Sequence, residues 1–166
     1  RPMTLRQMEA FMEHENASAT WTDVAALRAR WPGRIVVKGI MTPDDARAAM
    51  DVGADAIYVS NHGGRQFDAQ PSTVAALPDV VAAVAGRAPV LVDGGVRRGS
   101  DVVKMSALGA DLCFVGRPVV YGLVAGGSAG ARRVLDLLTE ETAVALAFTG
   151  TVTLSGCGPA VLSPLS

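Results

Sequence analysis

Four short apolar runs, each followed by a polar, glycine-bearing cluster, set the tightest limit on how this chain folds. They are Ile35-Val36-Val37, residues 56–59, Val90-Leu91-Val92 and Leu112-Cys113-Phe114-Val115. β-Branched residues are common in them and polar alternation is absent. Such runs predict strands covered on both faces, as in a parallel sheet. The intervals between them are long enough for a crossover helix each.

Those intervals carry helix punctuation. Thr42 predicts a helix start, with Pro43 at the first position, Asp45 reaching back, and Gly53 at the end. A second helix is expected over 73–85, ended by Gly86. A third is expected to be capped by Ser100 and ended by Gly109, and a longer one to run from about 128 to about 148, ended by Gly150. A weaker helix over about 22–30, capped by Thr20 or Thr22, precedes the first strand. Val52-Gly53-Ala54-Asp55 and Leu108-Gly109-Ala110-Asp111 each close a helix and open a strand, a joint used twice. Repeated strand–helix units without a dinucleotide-binding fingerprint favour a (β/α) barrel over an open doubly wound sheet. A barrel needs eight strands and only four are legible, so the expected architecture is α/β, half of a (β/α)8 barrel with two bare edges.

Composition excludes some classes. Hydrophobic residues make up 49% of the 166, and 15 basic residues face 16 acidic ones. That balance gives no electrostatic case for nucleic acid or an anionic membrane. The apolar stretch 107–127 is broken by Asp111 and Arg117, which argues against a membrane span. No leader is legible, and Cys113 and Cys157 lack metal or redox spacing, so two reduced thiols in a cytoplasmic protein are expected. The start at Arg1, without methionine, is the mark expected of a piece of a longer protein. Met3, Met8, Phe11 and Met12 form a stripe that reads as core or interface packing, and His14 as a solvated side chain.

The chemistry-bearing residues gather after the strands. Lys38 closes the first run, where a lysine either snorkels to solvent or works in a pocket. Ser60-Asn61-His62-Gly63-Gly64-Arg65 follows the second, Asp93-Gly94-Gly95-Val96-Arg97-Arg98-Gly99 the third, and Gly116-Arg117-Pro118 the fourth. In a barrel these ends share one face, where active sites form. Glycines let backbone approach a ligand, and amides at a helix start attract anions. One Gly-Gly pair is usually only a tight turn. Two successive glycine-and-arginine loops, carrying Gly94, Gly95, Arg97, Gly116 and Arg117, favour a phosphate site. A lone histidine is more often structural. With Arg65 three residues on, and with Ser60 and Lys38 nearby, His62 reads better as a base, since imidazole titrates near neutral pH. Arg65 suits a carboxylate, which it meets through two parallel hydrogen bonds. Asp93 either orients His62 or binds a ribityl or sugar hydroxyl.

These segments, together with Thr20-Trp21-Thr22-Asp23 and Val37-Lys38-Gly39, resemble the FMN-dependent α-hydroxy-acid oxidases and dehydrogenases, a family that includes glycolate oxidase, lactate oxidase and mandelate dehydrogenase. The likeness covers residues 20 to 150, and the segment around His62 is its most specific part. It implies strands five to eight of the family's barrel, over 20–150. Residues 1–19 are then a lead-in and residues 151–166 an irregular tail. It implies FMN as cofactor and a small L-2-hydroxy acid as substrate. It implies His62 as base, Arg65 as carboxylate clamp and Lys38 beside the flavin, stabilising the reduced ring. Ser60 is implied to touch the flavin, Asp93 the ribityl chain, and Gly95, Arg97, Gly116 and Arg117 the phosphate. The resemblance also implies a homo-oligomer, and a missing N-terminal half or partner chain without which FMN binds weakly or not at all. Two other readings stay open on the sequence: a flavin- or phosphate-binding half-barrel without catalysis, and another phosphate-binding barrel such as an isomerase.

Overall fold

A computed structural model of the chain describes residues 18–162. The stripe of Met3, Met8, Phe11 and Met12, and His14, lie outside the described residues. In chain order the elements are Trp21–Arg30 (α1), Val36–Ile40 (β1), Pro43–Asp51 (α2), Ala56–Val59 (β2), Thr73–Val84 (α3), Val90–Val92 (β3), Gly99–Ala107 (α4), Leu112–Cys113 (β4) and Arg117–Thr149 (α5). The strands form one sheet in the order β1-β2-β3-β4, with every pair parallel. This is the C-terminal portion of a (β/α)8 barrel.

The core lies between the sheet and its helices. Ile57, Val59, Val90 and Val92 are buried against Leu77, Val80 and Val84 of α3 and Ala46 and Ala49 of α2. The opposite face is not covered in the same way. Val36, Lys38 and Leu112 are exposed, and Tyr58 and Leu91 only half-buried. Among the described residues the apolar runs are therefore covered on one face, not on both as expected. The open face belongs to the barrel interior, and four strands do not enclose it.

The repeated joint has a physical cause. After α2, Gly53 N–H donates to Met50 and Ala54 N–H to Ala49; after α4, Gly109 donates to Ser106 and Ala110 to Met105. Each joint then delivers an aspartate to the neighbouring strand. Asp55 Oδ2 accepts from Ile35 N–H at 2.7 Å while its own N–H donates to the Ile35 carbonyl. Asp111 makes the same two bonds to Val90, also at 2.7 Å through the carboxylate. This backbone-like grip at Ile35, just before β1, and at Val90, the first residue of β3, supports the parallel register. The Ile35 hydrogen bond, more than the nearby Arg28, holds the Asp55 carboxyl below its ordinary range.

Several helix ends depart from expectation. Thr20 caps α1 and Thr42 caps α2, the latter accepting from Asp45 N–H at 3.1 Å. Helix α4 starts two residues earlier than a Ser100 cap allows. Arg98 is its N-cap, and Asp101 Oδ2 takes the N–H groups of Arg97 and Arg98, both at 3.1 Å. Gly99 is buried beneath α5, donates to Glu141 Oε2 at 2.8 Å, and has no room for a Cβ against the Glu141–Thr142 backbone. The first stretch of α5, 117–125, is helical where only an apolar run was legible. A break at Gly126–Gly127 reverses the chain, so that Gly122 and Gly130 meet at a contact that excludes side chains. Strand β1 runs on to Ile40, and β4 stops at Cys113. Burial pushes the Cys113 thiol up to about 11, so it stays neutral. Beyond Gly150 the described tail holds two single turns, Leu154–Gly156 and Pro159–Val161. No helix among the described residues is long and apolar enough to cross a membrane.

Two outcomes follow. Asp101→Ala should cost about 0.5–2 kcal/mol in denaturant unfolding, whereas Ser100→Ala should stay within about 0.5 kcal/mol of the parent. Asp55 has a lowered folded pKa, so its contribution is present above the unfolded carboxylate value and fades as pH falls through the folded one. Unfolding measured from pH 7 down to pH 2 should therefore lose less stability in Asp55→Asn than in the parent.

Candidate active site

The site starts with a left-handed turn at the end of β2. Gly64 N–H donates to the Asn61 carbonyl at 3.0 Å, closing a turn whose central residues His62 (φ 54°) and Gly63 (φ 69°) both have positive φ. Asn61 Oδ1 braces it by accepting from Gly63 N–H at 3.0 Å. A positive φ at a non-glycine residue costs of order 1–3 kcal/mol and persists only when its surroundings impose it. Here Ser60 does so: its buried Oγ accepts from His62 N–H at 3.2 Å. The imidazole lies against β1, where a Cβ on Gly39 would sit 3.4 Å from its Cε1. Arg65 folds back and donates from Nε to the His62 carbonyl at 3.3 Å.

The same Ser60 hydroxyl holds Lys38. Nζ donates to Ser60 Oγ at 2.8 Å, pairs with Asp93 Oδ2 at 3.5 Å and lies 5.0 Å above the centroid of the Tyr58 ring. Lys38 is inside β1, not at its end, and a register shift at Gly39 turns the strand there. Asp93 thus faces Lys38 rather than His62. Its second oxygen, Oδ1, is buried without a hydrogen-bond partner among the described residues. A buried acceptor left so costs about 1–3 kcal/mol unless a ligand supplies a donor. Burial first, and then the Asp93 carboxylate, through its charge and a hydrogen bond, pushes the Tyr58 phenol up, so it stays neutral. Tyr58 also stacks on Phe114, with centroids 4.9 Å apart.

The two glycine-and-arginine loops complete the surround. Gly94 (φ 85°) and Gly95 (φ 78°) are both left-handed, and nothing lies within 4 Å of a Cβ built on Gly95 or Gly116. Both therefore offer open backbone to a ligand. The Gly94 carbonyl accepts from Thr73 Oγ1 at 3.3 Å, which ties the loop to the start of α3. Gly116 caps α5 and Arg117 is its first residue, so this loop also presents a helix N-terminus. Arg117 Nη2 donates to the Gly63 carbonyl at 2.7 Å, linking the loop to the His62 turn.

One hollow of about 270 Å³ gathers these groups. Lys38, His62, Arg65 and Asp93 line part of it; Gly94, Gly95, Arg97, Gly116 and Arg117 line the rest. Ser60 lies beneath the lining, its hydroxyl turned to Lys38 and His62. A second hollow of about 390 Å³ shares Gly63, Gly94, Gly95, Arg97 and Arg117 and extends to Thr73 and Lys104. Sequence reasoning missed Asn61, Thr73, Tyr58 and Phe114. Asn61 had a signal, being a side-chain hydrogen-bonding residue beside Gly63 and Gly64, whereas Thr73 meets Gly94 from 21 residues away and had none. Tyr58 and Phe114 had none, since in an apolar run nothing marks which residues face inward.

The chain matches the FMN-dependent dehydrogenase family over residues 1–164. It is 46% identical to a peroxisomal (S)-2-hydroxyacid oxidase of Arabidopsis thaliana over 93% of this chain and 43% of that protein. It is 49% identical to an L-lactate dehydrogenase of Caulobacter sp. (strain K31) over 88% of this chain and 38% of that one. A solved structure of the monotopic membrane protein (S)-mandelate dehydrogenase superposes with a TM-score of 0.89 at 39% identity, covering 96% of this chain and 43% of the other. A mandelate oxidase superposes with a TM-score of 0.75 at 49% identity, over 84% and 41%. The chain thus spans about two-fifths of the length of these relatives. With this sequence match and this half-barrel geometry, the chain belongs to the FMN-dependent dehydrogenase family.

Proposed function

We propose that the hollow holds FMN and a small 2-hydroxy acid, and that the whole protein oxidises the acid to its 2-oxo acid. The observation that carries this reading is the convergence of an imidazole, a guanidinium, an ammonium and two anion-binding loops on one cavity. The residues suit the cofactor. The unpartnered Asp93 Oδ1 calls for a hydroxyl donor such as the ribityl chain carries. The open backbone at Gly95 and Gly116, with Arg97 and Arg117, suits a phosphate. Lys38 offers a positive charge to the flavin edge, and Ser60 lies below that contact.

When bound, FMN supplies the acceptor for an electron pair. The substrate's H–C–O–H group loses two electrons and two protons in becoming a carbonyl. Arg65 has Nε committed to the His62 carbonyl, so its terminal nitrogens form the parallel pair for the substrate carboxylate. A substrate held so would present its α-carbon to His62, three residues before the clamp. The imidazole takes the first proton, from the α-carbon or its hydroxyl. The Ser60 bond and the Asn61 brace fix the turn beforehand, so the base is oriented before substrate arrives. The remaining barrel strands come from outside this chain, in the same protein or a partner, and cover Val36, Leu112 and Phe114. The substrate class, small L-2-hydroxy acids, is read from Arg65 and from the relatives' named activities.

In the full protein, His62→Gln should retain FMN yet lower kcat by about 10²- to 10⁴-fold with a 2-hydroxy acid. Arg65→Lys should mainly raise KM, by roughly tenfold or more, as one of two charge-assisted bonds is lost. Steady-state kinetics with flavin content measured on each sample checks both. Near-parent turnover in His62→Gln rejects the assigned base.

A further inference from the structure

The geometry points to Tyr58 as a positioning residue for Lys38, its ring acting as the inner seat that holds the ammonium against the cofactor edge. This rests on the flavin reading above.

Lys38 would otherwise be poorly fixed. Its side chain is long, and four rotatable bonds let the ammonium wander. Three neighbours restrain it from different sides. Ser60 Oγ accepts its hydrogen bond at 2.8 Å, Asp93 attracts it at 3.5 Å, and Tyr58 presents the face of its ring at 5.0 Å. Ser60 also serves His62, and Asp93 keeps one oxygen for another donor. The Tyr58 hydroxyl interacts with Asp93, but the face of its ring is turned to the ammonium. Its ring is itself fixed, by stacking on Phe114 and by pairing of its backbone in β2 with Lys38 on β1 and Leu91 on β3. A cation is drawn to the negative face of such a ring, and more strongly once water is excluded. The ring therefore favours one ammonium position, level with the hollow, without removing any of the positive charge.

The test changes the face of the ring without changing its size. In the full protein, position 58 is replaced by Phe and then by phenylalanines of increasing fluorination, which drain charge from the ring face. The readout is sulfite affinity, followed by flavin absorbance. Sulfite supplies the electron pair of its new bond to the flavin, and the ring takes up negative charge, so its affinity reports positive charge placed beside the ring. Tyr58→Phe, which also removes the hydroxyl's interaction with Asp93, is the reference from which the series is read. The most fluorinated variant should bind sulfite roughly three- to tenfold more weakly, with the others in graded order. In a Lys38→Met background the series should be flat, because the coupled partner is gone. A flat series with Lys38 present, or a gradient that persists without it, overturns the role of Tyr58 and leaves the flavin reading standing. A parent protein that takes up no FMN overturns both.

Discussion

The site depends on one buried hydroxyl. Ser60 Oγ accepts from the Lys38 ammonium and from the His62 amide. These groups come from different strands and would serve different parts of a reaction. One oxygen therefore ties the charge to the turn that carries the base. Its own position is secured by β2, which is paired on both sides and buried on its helical face. The left-handed conformation of His62 follows from this bond and from the glycines after it. Without the Ser60 bond, a non-glycine residue has little reason to stay at φ 54°.

Around that node the polar contacts form a chain across the strand ends. Arg117 grips the Gly63 carbonyl, the His62 turn leans on Ser60, and Ser60 holds Lys38, which faces Asp93. Loops that sequence separates by up to 54 residues are thus hydrogen-bonded to each other. Rigidity below comes from the two Gly-Ala-Asp joints, which start neighbouring strands with the same pair of bonds. Rigidity behind comes from Glu141 and Asp101, which satisfy amides at the start of α4 just after the Gly94–Gly95 loop. The fold spends most of its specific hydrogen bonding on where the strand-end loops sit.

Much of this was legible in the sequence, for local reasons. Strands β2 and β3 matched their apolar runs residue for residue, because turn residues bound them. Thr42, Gly53 and Gly150 act over a few residues and marked helix ends correctly. The strand-end location of His62, Arg65 and the two glycine loops followed from the alternation of elements, whereas Lys38 lies inside β1, which runs on to Ile40. What stayed hidden depends on contacts distant in sequence. Ser100 looked like a cap, but the helix already begins at Gly99, with Asp101 taking the amides of Arg97 and Arg98 and Glu141 that of Gly99. The 117–125 helix was masked because its residues are apolar on a surface that this chain leaves uncovered, which removes the usual periodicity. Covered faces were misjudged for the same reason: an apolar residue reads alike whether it meets a helix or the barrel interior. Asp93 was read with two partners in view, and only three-dimensional placement sets it against Lys38.

The central claim is that base, clamp, charge and anion loops act on one bound flavin and one substrate. The most direct measurement is the visible spectrum of the purified full protein, mixed with a 2-hydroxy acid without oxygen. The account predicts a yellow protein whose absorbance bleaches on mixing. A yellow colour that persists with every small 2-hydroxy acid tried, or a protein with no flavin absorbance at all, would contradict it.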